Sequence, residues 1–375
     1  MVPKQADRSD RSRVDDSGVR LRALDGLRFV AALSVAIFHL LAVAGQGVGS
    51  VGADIWGRPA REVFGWLPFT LASYGWVGVP LFFIISGFVI SLSSWGRTPS
   101  QFVISRIVRL FPAYWFCIIL TSAVVLAYPL LFHQLSIYDT LVNLTMWQWS
   151  LGVPNVDDVY GTLFVEIKFY LLFTLMVWIG LTYRRAVIFC VAWSIGAIIA
   201  AESKSTLLSV VLMPGHSQYF IAGIALFLMY RYGQNIILWG IVGFSWIMAM
   251  NYHQGNAWQK IVGQPYWPAA VLITLCFVVV GLLAMGHLGW LRWRGLTTLG
   301  ATTYPLYLLH YVIGTTLIYL VNKKFDVPPL VLLPTVLVLF TFGAWLVHRL
   351  IERPLAPRLK RALARGTENI RLRSA

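Results

Sequence analysis

Apolar stretches of about 20 residues recur along the whole chain, and nothing else limits its fold so strongly. A helix rising 1.5 Å per residue needs about 20 residues to cross ~30 Å of hydrocarbon. Inside hydrocarbon every backbone N–H and C=O must be satisfied within a helix or a closed barrel. The stretches fall at roughly 24–45, 68–93, 110–131, 161–183, 186–201, 214–230, 235–251, 267–286, 298–320 and 329–349. They are continuous, not the alternating ten-residue segments of a transmembrane barrel. The pattern therefore predicts an all-α, polytopic membrane protein with about ten transmembrane helices in one bundle. With 58% of its 375 residues hydrophobic and 12% charged, the chain is too apolar to keep its whole surface in water.

Lys and Arg then choose the side. Arg20, Arg22, Arg28, Arg97, Arg106, Arg109, Arg184, Arg185, Arg231, Arg292, Arg294, Arg349 and Arg353 gather at one set of span ends, joined by the basic residues of both tails. The opposite ends carry only Arg58, Arg61, Lys204, Lys260, Lys323 and Lys324. Both termini are expected to be cytoplasmic, and the formal charge of +15 is read as topology plus contact with anionic lipid headgroups, not nucleic-acid binding. Basic tails over 1–22 and 355–375 flank a helical domain over 23–354. The first span exceeds the apolar region of a signal peptide and carries charges, so it is expected to persist. No internal repeat of a transporter's inverted kind is visible. Cys117, Cys190 and Cys276 lie inside spans without paired spacing and read as packing residues, and no metal cluster is expected.

Ionisable groups inside spans are functional candidates by default. In "RALDGLRFVAALSVAIFHLL" Asp25 and Arg28 stand at one end and His39 lies 11 positions beyond Arg28, about 16 Å further along a helix. Imidazole exchanges a proton near neutral pH without leaving a permanent charge in a low dielectric. Glu166 enters from the opposite side by roughly 9 Å, so it is expected near the depth of His39. Lys168, two residues on, points away from it by about 200°. Arg106 and Arg109 share a helix face at (i, i+3). They read either as ordinary positive-inside arginines or as a bidentate phosphate clamp. In "GWVGVPLFFIISGFVIS" Gly75, Gly78, Ser86 and Gly87 suit close helix packing or a channel for a thin ligand. In "TTYPLYLLHY" Pro305 is expected to kink the span, with His310 about one and a half turns later. His216, His253, His287 and His348 sit at span ends or in loops and read as ordinary.

These elements occur in an order that resembles the acyltransferase-3 family of integral-membrane acyltransferases, which O-acylate surface polysaccharides and related acceptors. The resemblance runs from Leu21 to about Pro354. It rests on Asp25-Gly26-Leu27-Arg28 followed by His39, on "FFIISGFVIS" and on Arg106-Ile107-Val108-Arg109. It continues through "GTLFVEIKFYLLF" with Glu166, Phe169 and Tyr170, through "TTYPLYLLH", and through Glu352-Arg353-Pro354. The tryptophan that the family pattern expects before Thr162 is Gly161 here.

The resemblance implies a membrane O-acyltransferase of the bacterial inner membrane. It would move an acyl group, usually acetyl, from cytoplasmic acyl-CoA to a hydroxyl of a glycan, glycolipid or glycosylated small molecule, without a metal. It implies His39 as general base or transient acyl carrier and Glu166 as its orienting carboxylate or a sugar contact. Arg28, Arg106, Arg109 and Ser86 would hold the donor; Asp25, Tyr170 and His310 would contact substrate. The chain would act alone, as a homo-oligomer, or with a separate partner protein. A competing reading is a proton-coupled transporter or flippase using His39 and Glu166 as a relay, which leaves Arg106 and Arg109 without a task. A purely structural subunit leaves all the intramembrane polar groups unexplained.

The charge asymmetry makes a direct prediction. Cysteines substituted at Ser9 or Ser374 should react with a membrane-impermeant maleimide only after the membrane is opened, and one at Ser150 should react in intact cells.

Overall fold

The computed structural model describes residues 6–44, 55–128, 135–253, 263–287 and 293–373, with side chains described between 22 and 366. Lys4, Lys260, Arg292 and the starts of both long outer loops lie outside the described residues. So do the side chains of Arg8, Arg11, Arg13, Arg20, His253, Arg371 and Arg373.

Every regular element among the described residues is helical. In chain order these are α1 (Ala6–Ile37), α2 (Ala60–Phe64), α3 (Trp66–Ala72), α4 (Gly78–Ser94), α5 (Pro99–Ala127), α6 (Ile137–Asn143), α7 (Gly161–Ile179) and α8 (Tyr183–Glu202). They continue as α9 (Thr206–Leu212), α10 (Ser217–Tyr232), α11 (Ile236–His253), α12 (Trp267–Ala284), α13 (Gly295–Leu309), α14 (Val312–Lys324), α15 (Pro329–Val347) and α16 (Arg353–Arg373). Eight helical stretches are long and apolar enough to cross a membrane, and α13 with α14 make a ninth, bent by 70°. The shorter apolar helix Ile236–Tyr252 occupies the remaining expected place. The ten positions read from hydropathy are thus all helical, although one falls short of full spanning length.

Three boundaries differ from expectation. The third span begins at Pro99, not near 110, because Thr98 forms a capping box with Gln101 and proline fills the first turn. At 29 residues α5 is about 43 Å long, so Arg106 and Arg109 ride inside a helix that outreaches the hydrocarbon. The ninth span is not broken at Pro305, which α13 accommodates, but five residues later at His310 and Tyr311. The segment after residue 354 is helical: α15, a π-helical turn over His348–Glu352 and α16 run on from Pro329 to Gly366, and α16 packs along α5.

Packing at the centre depends on absent side chains. At the crossing of α4 and α10, a Cβ on Gly87 would collide with the Phe220 carbonyl and one on Gly223 with the Ile84 carbonyl. Gly75 and Gly78 meet the backbone of α1 at Ser34 and Ala31 in the same way, and the Ser34 hydroxyl donates to the Gly75 carbonyl at 2.9 Å. Helices gain little from burying apolar surface when lipid is equally apolar, so close backbone approach supplies much of the attraction. Aromatics fill the adjoining layer, where Phe169 stacks on Phe220 with ring centroids 4.2 Å apart.

The collision geometry sets the next prediction. Gly223→Ala should lower stability by about 1–3 kcal/mol, read as a lower Tm in detergent, because two backbones must separate. Gly243→Ala, where an added Cβ meets nothing within 4 Å, should leave Tm unchanged.

Candidate active site

A cavity of about 350 Å³ opens among α1, α4, α5, α7 and α13, and its wall contains Arg28, Ser86, Arg106, Arg109, Glu166 and Tyr170. Six of the nine residues proposed from sequence are therefore gathered around one space, brought there by four separate helices. Ser93, Ser105, Thr162, Thr303, Tyr304 and Tyr307 also line it. These went unnoticed in the sequence because hydroxyls inside apolar spans are common. Thr303 and Tyr307 had one available signal: they stand four residues apart in the quoted "TTYPLYLLH" and so share a helix face.

The charges in the cavity are unbalanced. Glu166 is the carboxylate of the wall, and its Oε1 accepts from the Tyr170 hydroxyl and from Ser86 Oγ at 3.3 Å. Arg28 sits in the field of Glu166, Asp25 and Arg109. Arg106 donates from Nε to Ser105 Oγ at 3.1 Å and lies over the rings of Phe102 and Tyr170. Arg109 lies over Tyr304. Among the described residues none of these three guanidiniums forms a salt bridge within 4.0 Å. Three planar cations face one carboxylate that two hydroxyls already occupy. Such an arrangement favours an anion with several oxygens, because guanidinium pairs bidentately with phosphate. Asp25 does not line the cavity; it packs against Gly300 of α13, where a Cβ would collide with it.

His39 stands elsewhere than expected. Eleven positions return a helix to within about 20° of the same face, and His39 stands as the second residue of a π-helical turn over Phe38–Val43 that follows α1, on the side that meets the end of α13. Its Nδ1 lies 3.0 Å from His310 Nε2, and its ring packs on Tyr311 at 4.7 Å. His310 Nδ1 lies 2.8 Å from the Tyr307 carbonyl. A carbonyl only accepts, so His310 carries its proton on Nδ1 and offers Nε2 as acceptor. His39 must then donate from Nδ1, which makes Nε2 the basic nitrogen of the neutral ring. The expected pairing of His39 with Glu166 is thus replaced by His39 with His310, because Glu166 is engaged by Ser86 and Tyr170. Neither histidine is among the residues lining the arginine cavity. Tyr307 joins the two sites, lining the cavity while its carbonyl orients His310.

Other candidates separate cleanly. Lys168 faces away from the cavity, its Nζ 4.7 Å from the centre of the Phe164 ring. His216 packs edge-on against Phe83. His348, read as ordinary, holds Glu352 Oε2 at 2.6 Å across the second π-helical turn. Cys117 and Cys190 are buried and Cys276 partly so, all as free thiols. At Gly161 the Trp149 indole lies 3.4 and 3.6 Å from the place of a Cβ, so the outer loop covers that position with an aromatic ring. Among the described residues no group of three or more His, Cys, Asp or Glu side chains is placed to hold a metal.

The break beside His310 has its own support. Opening a helix frees backbone N–H groups, and Asp157 meets one of them, Oδ2 accepting from Val312 at 3.1 Å while Oδ1 accepts from Val159 at 3.1 Å. Burial pushes the Asp157 carboxyl up to about 7 from its ordinary 3.8. A folded value above the free one means that stability is full below pH ~4 and falls as pH rises towards 7. Asp157→Ala should cost about 1–3 kcal/mol through two orphaned amides and should flatten the slope of Tm against pH over that window.

No curated protein and no solved structure gives a match to the chain. A family model described as an acyltransferase domain matches residues 21–349, which takes in the arginine cavity, the histidine pair and every span. The chain belongs to this acyltransferase-3 family and is a membrane acyltransferase.

Proposed function

We propose that this acyltransferase takes an acetyl group from cytoplasmic acetyl-CoA and passes it to a hydroxyl of a sugar-containing acceptor at the bacterial inner membrane. One observation carries the reading: among the described residues three guanidiniums without a salt bridge line a cavity, and Tyr307 of its wall leads to a two-histidine chain whose His39 stands 11 residues after Arg28, about 16 Å at helical rise. The CoA diphosphate would occupy the anion-seeking cavity, held by Arg106 and Arg109 with Arg28 behind them. Its pantetheine arm is long enough to cover the remaining distance and bring the thioester to His39. A proton relay for transport uses the histidines but gives the arginine cavity no anion to hold.

In this reading His39 Nε2 takes the proton of the acceptor hydroxyl as its oxygen attacks the thioester carbonyl. The tetrahedral intermediate collapses, the C–S bond breaks, and the departing CoA thiolate takes the proton back. His310 is a positioning residue: it receives Nδ1–H of His39, fixes the tautomer and directs Nε2 at the substrate, as a carboxylate does in hydrolase triads. Glu166, held by Ser86 and Tyr170, balances part of the arginine charge and lies within reach of a substrate hydroxyl. No metal enters the scheme.

Isolated membranes given radiolabelled acetyl-CoA should form alkali-labile acylated product, and His39→Ala at equal expression should abolish it. His310→Ala should lower kcat about 10²-fold and displace the pH profile, while Arg106→Ala should act mainly by raising the KM for acetyl-CoA about tenfold. Equal label from wild type and His39→Ala would remove His39 from the mechanism, and no label with several acyl-CoAs would remove the donor.

A further inference from the structure

The arginine cavity does not end at its own wall. Where the first turns of α5 meet α16, a groove of about 280 Å³ is lined by Arg97, Gln101, Ile104, Ser105, Lys360 and Ala364. Ser105 lines both spaces, and its hydroxyl accepts from Arg106 Nε. The two spaces therefore adjoin at Ser105, the residue that Arg106 bonds. Its lining is almost wholly apolar, formed by Ile104, Ala364 and the stems of Arg97 and Lys360, both of which are exposed. Long basic side chains lay their methylenes along apolar surface and keep their charge in water, which gives an apolar floor with a cationic rim.

That combination suits one kind of chemistry. A nucleobase offers a flat apolar face, and a phosphomonoester beside it needs cations at the rim. Arg97 stands two residues before α5, and Arg106 lies seven residues after Pro99, about 10 Å into the helix. Two flexible side chains reaching towards each other close that gap to the separation of two phosphate groups on one ribose. A simple lipid-facing patch needs neither a wall shared with the arginine cavity nor cations from two elements distant in sequence.

We infer that this groove is the subsite for the adenosine 3′-phosphate of the CoA thioester, with Arg97 and Lys360 on the phosphate and the adenine against Ile104 and Ala364. The inference rests on the CoA-donor reading and assigns α16 a task beyond topology. The donor is then gripped at two charged points, and α16 completes a site whose other walls belong to the bundle.

The test compares acetyl-CoA with acetyl-3′-dephospho-CoA, which lacks only that phosphate, on the full chain in nanodiscs by calorimetry. Wild type should bind acetyl-CoA about tenfold more tightly than the dephospho form, the size of one lost charge-assisted contact pair. In the Arg97→Ala/Lys360→Ala variant the two affinities should become equal, and Lys360→Arg should preserve the preference. Both side chains are exposed, and an unchanged Tm confirms that the variants fold. Equal wild-type affinities, or a preference that survives in the double variant, overturn the subsite and leave the CoA reading standing. Failure of both thioesters to bind overturns both.

Discussion

Charge is costly in a low dielectric, and the bundle is organised around that cost. Asp25, Arg28, Arg106, Arg109 and Glu166 would each be expensive alone inside a span. They are drawn into one neighbourhood, where Arg28 sits in the field of Asp25, Arg109 and Glu166 and Arg106 lines the same cavity. The compensation is incomplete by design of the wall: Glu166 is already held by Tyr170 and Ser86, so an excess of positive charge is left facing the space. Among the described residues these guanidiniums form no salt bridge, and charges held inside a membrane bundle mark functional-site candidates by default.

The remaining architecture positions that cavity. Glycines at the crossings of α4 with α1 and α10 let backbones touch, which keeps Ser86 near Glu166. Two departures from regular helix do the finer placement. The π-helical turn at Phe38–Val43 carries His39, and His310 meets it from the 70° break after Leu309. Asp157 stabilises that break from the start of α7 by accepting from Val312. Each irregularity weakens a helix locally and is offset by a tertiary hydrogen bond, as expected where irregular backbone serves a site.

Much of this was legible beforehand. Helical class, span positions and the four charged cavity residues Arg28, Arg106, Arg109 and Glu166 follow from hydropathy and from the rarity of ionisable groups in apolar runs; Ser86 stood out in a span of small residues, and Tyr170 came from the resemblance to the family. The pairing was not. Glu166 and His39 share a depth by rise per residue, and depth alone made them look like partners. Direction across helices decided otherwise: His39 meets His310, while Ser86 and Tyr170 hold Glu166, and rise per residue carries no information about either contact. Pro305 drew attention as the site of a kink, while the actual break at His310 and Tyr311 carries neither proline nor glycine. The groove beside Ser105 was invisible because α5 and α16 meet across more than 250 residues of chain.

The sequence by itself determined the solvent this protein lives in, the helical class that solvent enforces, and the inventory of charged groups that need explaining. Those are one-dimensional properties: apolar length against bilayer thickness, and residue type against dielectric. Only the tertiary structure decided which of those groups meet. A hydrogen bond or ion contact depends on distance and direction across helices, and a single extra residue in one turn moves a side chain to a different neighbour. That is why the arginines could be named from the sequence, whereas the partner of His39 had to be seen.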